Sequence, residues 1–328
     1  MAIGTTFKVE LFGASHGDCI GVAISGCPAG VTLPVPEIRR ELDRRKPGQS
    51  KLTTSRKEPD IPIFLSGIFN GKTTGAPIIA IIQNSDARSK DYEKTKFLPR
   101  PSHADLTSWI KYGALADMRG GGIFSGRLTA GTVIAGAIAK HILREKKVKI
   151  NSELIEVGGS SNKKQFAKII ENVSINKDSV DGVIRCVIEN PAAGLGDPLD
   201  SPLDSSLAQA LFSIPAVKGV EFGSTQHLGS DNNDPIMLKG GKIVTATNNA
   251  GGILGGISNG MPIDFTVHFK PTASIAREQK TVDLRTMKPA KLTIEGRHDP
   301  CVAVRAPPVV EAVAAIVLLD YYLRAGII

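Results

Sequence analysis

Apolar residues along this chain fall into short runs punctuated by glycine and proline. Segments 7–12, 20–25, 61–65, 77–83, 148–157, 183–189 and 263–269 are rich in β-branched residues and bounded by turn formers, which predicts strands and an extensive sheet. A helical period replaces the strand period at 36–45, where a proline opens the first turn and Ile38 and Leu42 share a face. It returns at 127–144, 164–172, 205–212 and 309–323. The segment 127–144 is rich in small residues (Ala130, Gly131, Ala135, Gly136), a composition that lets a helix approach its neighbours closely and predicts a central position. The last helix is apolar on most sides, which predicts extensive burial. Strands and helices interleave without strict alternation, so the predicted fold class is α+β, layered, in a single large domain over residues 1–328. Three polar stretches, 84–101, 225–241 and 270–296, read as long loops of the kind that serve a site.

Composition narrows the classes. With 328 residues, 41% of them hydrophobic, the chain has material for a substantial core. Its start lacks the basic-then-apolar layout of a secretory signal, and no apolar run is long enough to span a bilayer, so a cytoplasmic protein is expected with no membrane partner. Cys19, Cys27, Cys186 and Cys301 lack CxxC spacing and read as reduced structural thiols. A net charge of +8 suits nucleic acid, an acidic surface or a small polyanion. Only 5% of residues are aromatic and no nucleic-acid motif accompanies the charge, which favours the small polyanion over nucleic acid.

Four segments carry candidate chemistry. Gly13-Ala14-Ser15-His16-Gly17 presents a histidine and a hydroxyl in a glycine-bracketed turn at a strand end; adjacency argues against Ser15 and His16 acting as nucleophile and base. Pro99-Arg100-Pro101-Ser102-His103-Ala104-Asp105 holds a cation and a histidine on stiffened backbone. His103 and Asp105 have metal-ligand spacing, but without a nearby third ligand no metal is expected. Gly120-Gly121-Gly122 lead into the small-residue helix and read as an anion cradle at its N-terminus. Gly296-Arg297-His298-Asp299-Pro300-Cys301 precede the apolar final helix, and a solvated turn is the plain alternative there. Glycine-rich text from Asn248 to Gly260 runs into a strand and then Lys270-Pro271-Thr272-Ala273-Ser274. Arg39, Arg40, Arg44, Arg45, Lys46 and Lys51 supply guanidinium and ammonium groups suited to phosphate and carboxylate.

Taken together and in order, these segments resemble the chorismate synthase family nearly end to end. The resemblance also includes Asp43-Arg44-Arg45-Lys46-Pro47-Gly48, Ser66-Gly67-Ile68-Phe69 and Pro215-Ala216-Val217-Lys218-Gly219-Val220-Glu221. It implies a β-α-β sandwich, a homotetramer, and reduced FMN as cofactor for the elimination of phosphate from 5-enolpyruvylshikimate-3-phosphate. NADPH enters only if the chain also reduces its flavin; otherwise an external flavin reductase is the implied partner. By resemblance His16 protonates the departing phosphate, His103 manages flavin protonation, and Asp299 assists proton removal through the flavin, with Ser15 and Ser125 in support. Arg45, Lys51, Arg100, Arg127 and Arg297 would bind substrate. Ser125, Asn249, Ala250, Gly255, Lys270, Pro271, Thr272, Ala273, Ser274 and Arg297 would contact the flavin. The chain departs from the family text at Ala14, where Glu is customary, and at Ile123-Phe124-Ser125-Gly126-Arg127-Leu128, where Arg-Ser-Ser-Ala-Arg-Glu is usual. Those changes motivate a second reading, a flavin-binding relative without lyase activity.

Overall fold

In the computed structural model, the described residues are 2–48, 52–53, 58–85, 95–117, 119–294 and 298–328. They form two antiparallel sheets with helices between them, the layered α+β sandwich that the interleaved pattern and the resemblance both predict. The N-terminal sheet has the order Ala2–Ile3, Lys8–Gly13, Cys19–Ser25, Ile78–Gln83 and Ile63–Ser66. The second runs Val217–Phe222, Ile263–Phe269, Gly182–Glu189 and Lys149–Val157. Alternation is strict where one face meets the helices: Ile20, Val22 and Ile24 point inward and pack with Ile78, Ala80 and Ile82 of the neighbouring strand.

The middle layer is built on Val35–Arg45, Thr129–Arg144 and Pro307–Arg324. Thr129–Arg144 lies against the N-terminal sheet and also against Pro307–Arg324, which packs on the second sheet. Gly136 shows why small residues were needed: a Cβ there would fall 2.3 Å from Cβ of Ala312. The close helix crossing offsets the roughly 1 kcal/mol that a mid-helix glycine costs against alanine. Pro307–Arg324 is buried at every position from Pro308 to Tyr322, and opens with proline where a missing N–H does no harm. Two acids go inside with it. Glu311 receives Arg44, Lys140 and Ser152, while Asp320 accepts the backbone N–H groups of Thr5, Thr6 and Phe7, tying the beginning of the chain to its last helix.

Several boundaries differ from the pattern-based expectation. Stretch 225–241 is not one loop: it holds the helical turn Gly229–Asn232 and the first strand of a hairpin, Ile236–Lys239 with Lys242–Thr245, reversed at Gly240 and Gly241. Stretch 270–296 likewise contains the hairpin Gln279–Asp283 with Lys288–Leu292. Helix Asp105–Tyr112 was hidden by the preceding prolines, and the long small-residue helix starts at Thr129 rather than 127, after two short 3-10 turns. Among the described residues no helix is long and apolar enough to cross a membrane.

Candidate active site

A cavity of about 820 Å³ opens where the ends of both sheets meet the start of Thr129–Arg144. That volume lies in the upper part of the range for small-molecule sites, roughly 300–1,000 Å³. Its lining brings together Ser15, His16, Arg45, Arg100, His103, Ser125, the segment from Lys270 to Ser274, and Asp299, residues spread across nearly the whole sequence.

His16 is buried, and its Nδ1 lies 3.1 Å from Ser15 Oγ. The neighbours therefore do share a hydrogen bond, against the expectation from adjacency, because the turn folds both side chains toward one another. Asn84, from the end of the strand Ile78–Gln83, donates from Nδ2 to the carbonyls of Ala14 and Gly17 and so pins this turn. The triple glycine does not adjoin the long helix, which begins at Thr129 after two 3-10 turns, and Gly120 and Gly121 line the cavity. Gly120 (φ 59°) lies under the His16 ring, where a Cβ would come within 2.2 Å of Cε1, and the Gly122 carbonyl accepts the Ser15 N–H at 3.3 Å. Glycine is required there so that the imidazole can rest on bare backbone.

Arg100, His103 and Asp105 form one unit. Arg100 donates to the Asp105 carboxylate through Nε (2.7 Å) and Nη2 (2.8 Å), and His103 Nδ1 lies 2.7 Å from Asp105 Oδ1. Burial opposes ionisation of Asp105, but the hydrogen bonds from Arg100 and His103 prevail and hold its carboxyl well below the usual range. His103 and Asp105 thus bond each other, and among the described residues no group of three His, Cys, Asp or Glu side chains is placed to hold a metal ion.

The cavity floor alternates in charge. Arg45 lines it, with Nη1 on Asp60 Oδ2 at 2.7 Å, Nε on Thr129 Oγ1 and Nη2 on the Gly126 carbonyl. Burial pulls Arg45 down to about 10, with Asp60 opposing and Arg305 and Arg127 reinforcing, so it stays cationic at neutral pH. Arg127, expected to bind substrate, does not line the cavity. It is bound to Asp60, Asn84 and the Gln83 carbonyl and sits 3.5 Å from Glu58. Its charge is engaged by acids from 58–60, a stretch the sequence reading passed over. Asp299 is gripped by Arg305 through Nε and Nη2, the latter at 2.6 Å from Oδ2.

Ser125 lines the cavity, yet its Oγ accepts the Arg127 N–H at 3.2 Å and caps a 3-10 turn. Ser274 accepts Arg100 Nη1 at 3.1 Å. Lys270 donates to the Ser102 carbonyl, and burial, with Lys218 adding repulsion, pulls its ammonium below the usual value. Among the described residues the Thr272 hydroxyl, also on the wall, is buried without a hydrogen-bond partner. Ile123 and Phe124 expose 57% and 39% of their surface on the lining, making it more apolar where polar family text is usual. Asn249, Ala250 and Gly255 lie away from this cavity. The Asp234 carboxylate accepts the N–H groups of Asn249 and Ala250, and Gly255 turns the small hairpin Ile253–Leu254 with Ile257–Ser258. Lys51 and Arg297 fall outside the described residues. Cys27 and Cys301 are buried thiols pushed up to about 11 by desolvation.

Sequence reasoning missed Asp60, Arg305 and Asn84 as parts of this site or its support. Arg305 had a visible signal: a lone cation six residues after Asp299, just before an apolar helix.

Comparison with known proteins agrees over the full chain. The family model for chorismate synthase matches residues 7–323. A chorismate synthase of Dehalococcoides mccartyi is 45% identical, covering 100% of this chain and 98% of its own, and one of Pyrococcus abyssi is 45% identical over 98% and 97%. A solved structure titled as a crystal structure of chorismate synthase superposes with a TM-score of 0.75 at 28% identity, covering 98% of this chain and 93% of that one. A match of this extent places this chain in the chorismate synthase family.

Proposed function

We propose that the cavity removes phosphate and a C6 hydrogen from 5-enolpyruvylshikimate-3-phosphate to give chorismate, with reduced FMN as cofactor. The observation that carries this reading is the convergence of His16, His103, Asp299, Arg45 and Lys270 on one cavity, a set of proton-transfer groups beside cations. Family membership makes the chain a lyase of the shikimate pathway; the residue roles below are our assignment.

The residues present fit a flavin. The unpartnered Thr272 hydroxyl offers a hydrogen bond to a ligand, and Ile123 and Phe124 offer apolar surface to a planar ring. Lys270 through Ser274 and Ser125 would hold it, and Arg297 joins them from sequence. Bound in its reduced form, FMN supplies electron density to the substrate ring. His16, buried against Ser15, donates a proton to the departing phosphate. His103, bonded to Asp105, is the second proton-transfer group, and Asp299, fixed by Arg305, accepts a proton. Arg45 and Lys270, with Lys51 from sequence, bind substrate anions, which gives the +8 charge its use.

The same reading takes the chain as one domain working in the cytoplasm as a homotetramer. The N-terminal sheet supports self-association, because its outward face carries Phe12, Ile63 and the partly buried Ile79 and Ile81. We assign flavin reduction to an external reductase; NADPH consumption by the purified chain would instead make it bifunctional. The deciding experiment is an anaerobic assay with 5-enolpyruvylshikimate-3-phosphate and dithionite-reduced FMN. Chorismate and phosphate in equal amounts support the proposal. A folded protein that binds FMN and forms no product would favour the inactive relative that Ile123 and Phe124 motivate.

A further inference from the structure

Two of the histidines that line the cavity, His16 and His103, are joined through the protein. His103 Nδ1 meets Asp105 Oδ1 at 2.7 Å, and the same carboxylate takes Arg100 Nε, Nη2 and backbone N–H at 2.7, 2.8 and 3.0 Å. Arg100 continues past it. Its Nη2 also donates to the carbonyl of Gly120, and its Nη1 to Ser274 Oγ. Gly120 is the residue on which the His16 ring rests. The path therefore runs from His103 through Asp105, Arg100 and Gly120 to His16, and its side chains are almost entirely buried: Arg100 is 8% exposed, Asp105 7% and His16 9%.

We infer that the Asp105–Arg100 pair is a brace that sets the two imidazoles relative to each other, so that both act as positioning residues. The inference rests on the proposed function only in giving the histidines proton chemistry; the brace itself concerns geometry. Arginine is required because one planar fork must satisfy a carboxylate in two places and still reach a carbonyl and a hydroxyl. A lysine would keep the charge and lose the fork. Asp105 must be ionised, because Arg100 donates to its carboxylate through two guanidinium nitrogens and a backbone N–H, while His103 Nδ1 lies 2.7 Å from Oδ1 and 3.2 Å from the Asp105 backbone nitrogen. It also opens helix Asp105–Tyr112, where the helix dipole favours an anion. A displacement of about 1 Å in reacting groups can lower turnover roughly 10²-fold, so a brace of this kind has a catalytic consequence without touching substrate.

Imidazole ¹⁵N spectra of the ligand-free protein test this, comparing wild type with Asp105→Asn and Arg100→Lys and using the exposed His227 as reference. The brace requires the ring signals of both His103 and His16 to move in each variant while those of His227 stay. In steady-state assays kcat should fall roughly 10²-fold with KM changed only a few-fold, and Asp105→Glu should recover part of the loss. His16 signals that hold still in both variants would overturn the brace, as would a raised KM with kcat intact, which marks Arg100 as a plain substrate contact. If Asp105→Asn does not fold, Arg100→Lys carries the test. If no variant or wild type makes chorismate, the functional reading fails, and the spectra still decide the brace.

Discussion

Arg44 and Arg45 are neighbours at the end of one helix, and they enter two different ion networks. Arg44 binds Glu311 with both Nη atoms at 2.8 Å and also reaches Glu41; Lys140 completes the cluster between the helices and the second sheet. Arg45 turns instead toward the cavity, to Asp60, Thr129 and Gly126. Hydrogen bonding by Glu311 pushes the Arg44 guanidinium up, whereas burial pulls Arg45 down to about 10. The same side chain thus gains a carboxylate that holds it in one place, and gives up solvation beside a ligand cavity in the other. A closed network contributes to stability alone, while one that borders a cavity has an open side on which a ligand can act.

The comparison predicts a double dissociation. On the cavity side, His16→Ala should lower kcat by roughly 10²–10⁴-fold, the usual range for a general acid, with thermal unfolding almost unchanged. Steady-state kinetics beside calorimetry would show it, and near-normal turnover would remove His16 from proton transfer. On the closed side, Glu311→Gln removes the buried carboxylate that Arg44 and Lys140 share and leaves them Glu41 as a charged partner. It should cost about 3–5 kcal/mol of stability in urea titrations, while the folded fraction keeps its kcat.

Acid should expose the same cluster. Burial raises the Glu311 carboxyl, but Arg44 and Lys140 outweigh it, so its folded value lies below the ordinary 4.5. A depressed acid stabilises the fold above that ordinary value and loses its contribution as pH falls through the folded value. The stability gap between wild type and Glu311→Gln should therefore narrow as pH drops below 4.5. A gap independent of pH would mean that the cost of the substitution is steric rather than ionic.

Asp320 gives a smaller effect of the closed kind. Its carboxylate accepts three backbone N–H groups, at 2.9, 2.6 and 2.8 Å, from Thr5, Thr6 and Phe7. Hydrogen bonds to a charged group contribute about 1.5–3 kcal/mol, and Asp320→Asn keeps one acceptor oxygen. A loss of about 1–2 kcal/mol is expected, with hydrogen exchange at Phe7 faster than in wild type.

How much of this was legible in sequence follows from the range of each interaction. The strands around Ile20 to Ile24 and Ile78 to Ile82, and the two central helices, are set by local period and were readable. The hairpin at 236–245 was also locally encoded, since Gly240 and Gly241 sit between two short apolar runs, Ile236 to Leu238 and Ile243 to Val244, but its polar surroundings read as loop. His16, Arg45, His103 and Asp299, which line the cavity, stood in motifs that could be read. Their partners could not, because Asp60 meets Arg127 across 67 positions and Asn84 meets Ala14 across 70. Glu311 and Asp320 did leave a sign, two acids inside an otherwise apolar helix, and a buried charge always implies a partner somewhere. What the sequence did not carry was the address of that partner.

The smallest expected effect marks the far end of the comparison, a network that is neither closed nor beside a cavity. Arg185 and Asp264 pair on the outward face of the second sheet, with Nη2 2.5 Å from Oδ2, and hydrogen bonding from Asp264 pushes the guanidinium up. The geometry is as good as that of Arg44 with Glu311, yet the Arg185 and Asp264 side chains are 49% and 23% exposed where those of Arg44 and Glu311 are 39% and 3%. Water and salt screen such a pair, so Arg185→Ala should cost no more than about 1 kcal/mol, and less at high ionic strength. Urea titrations in low and high salt would measure it. A cost that matched Glu311→Gln and ignored salt would show that burial is not what separates these networks, and that hydrogen-bond geometry alone decides their strength.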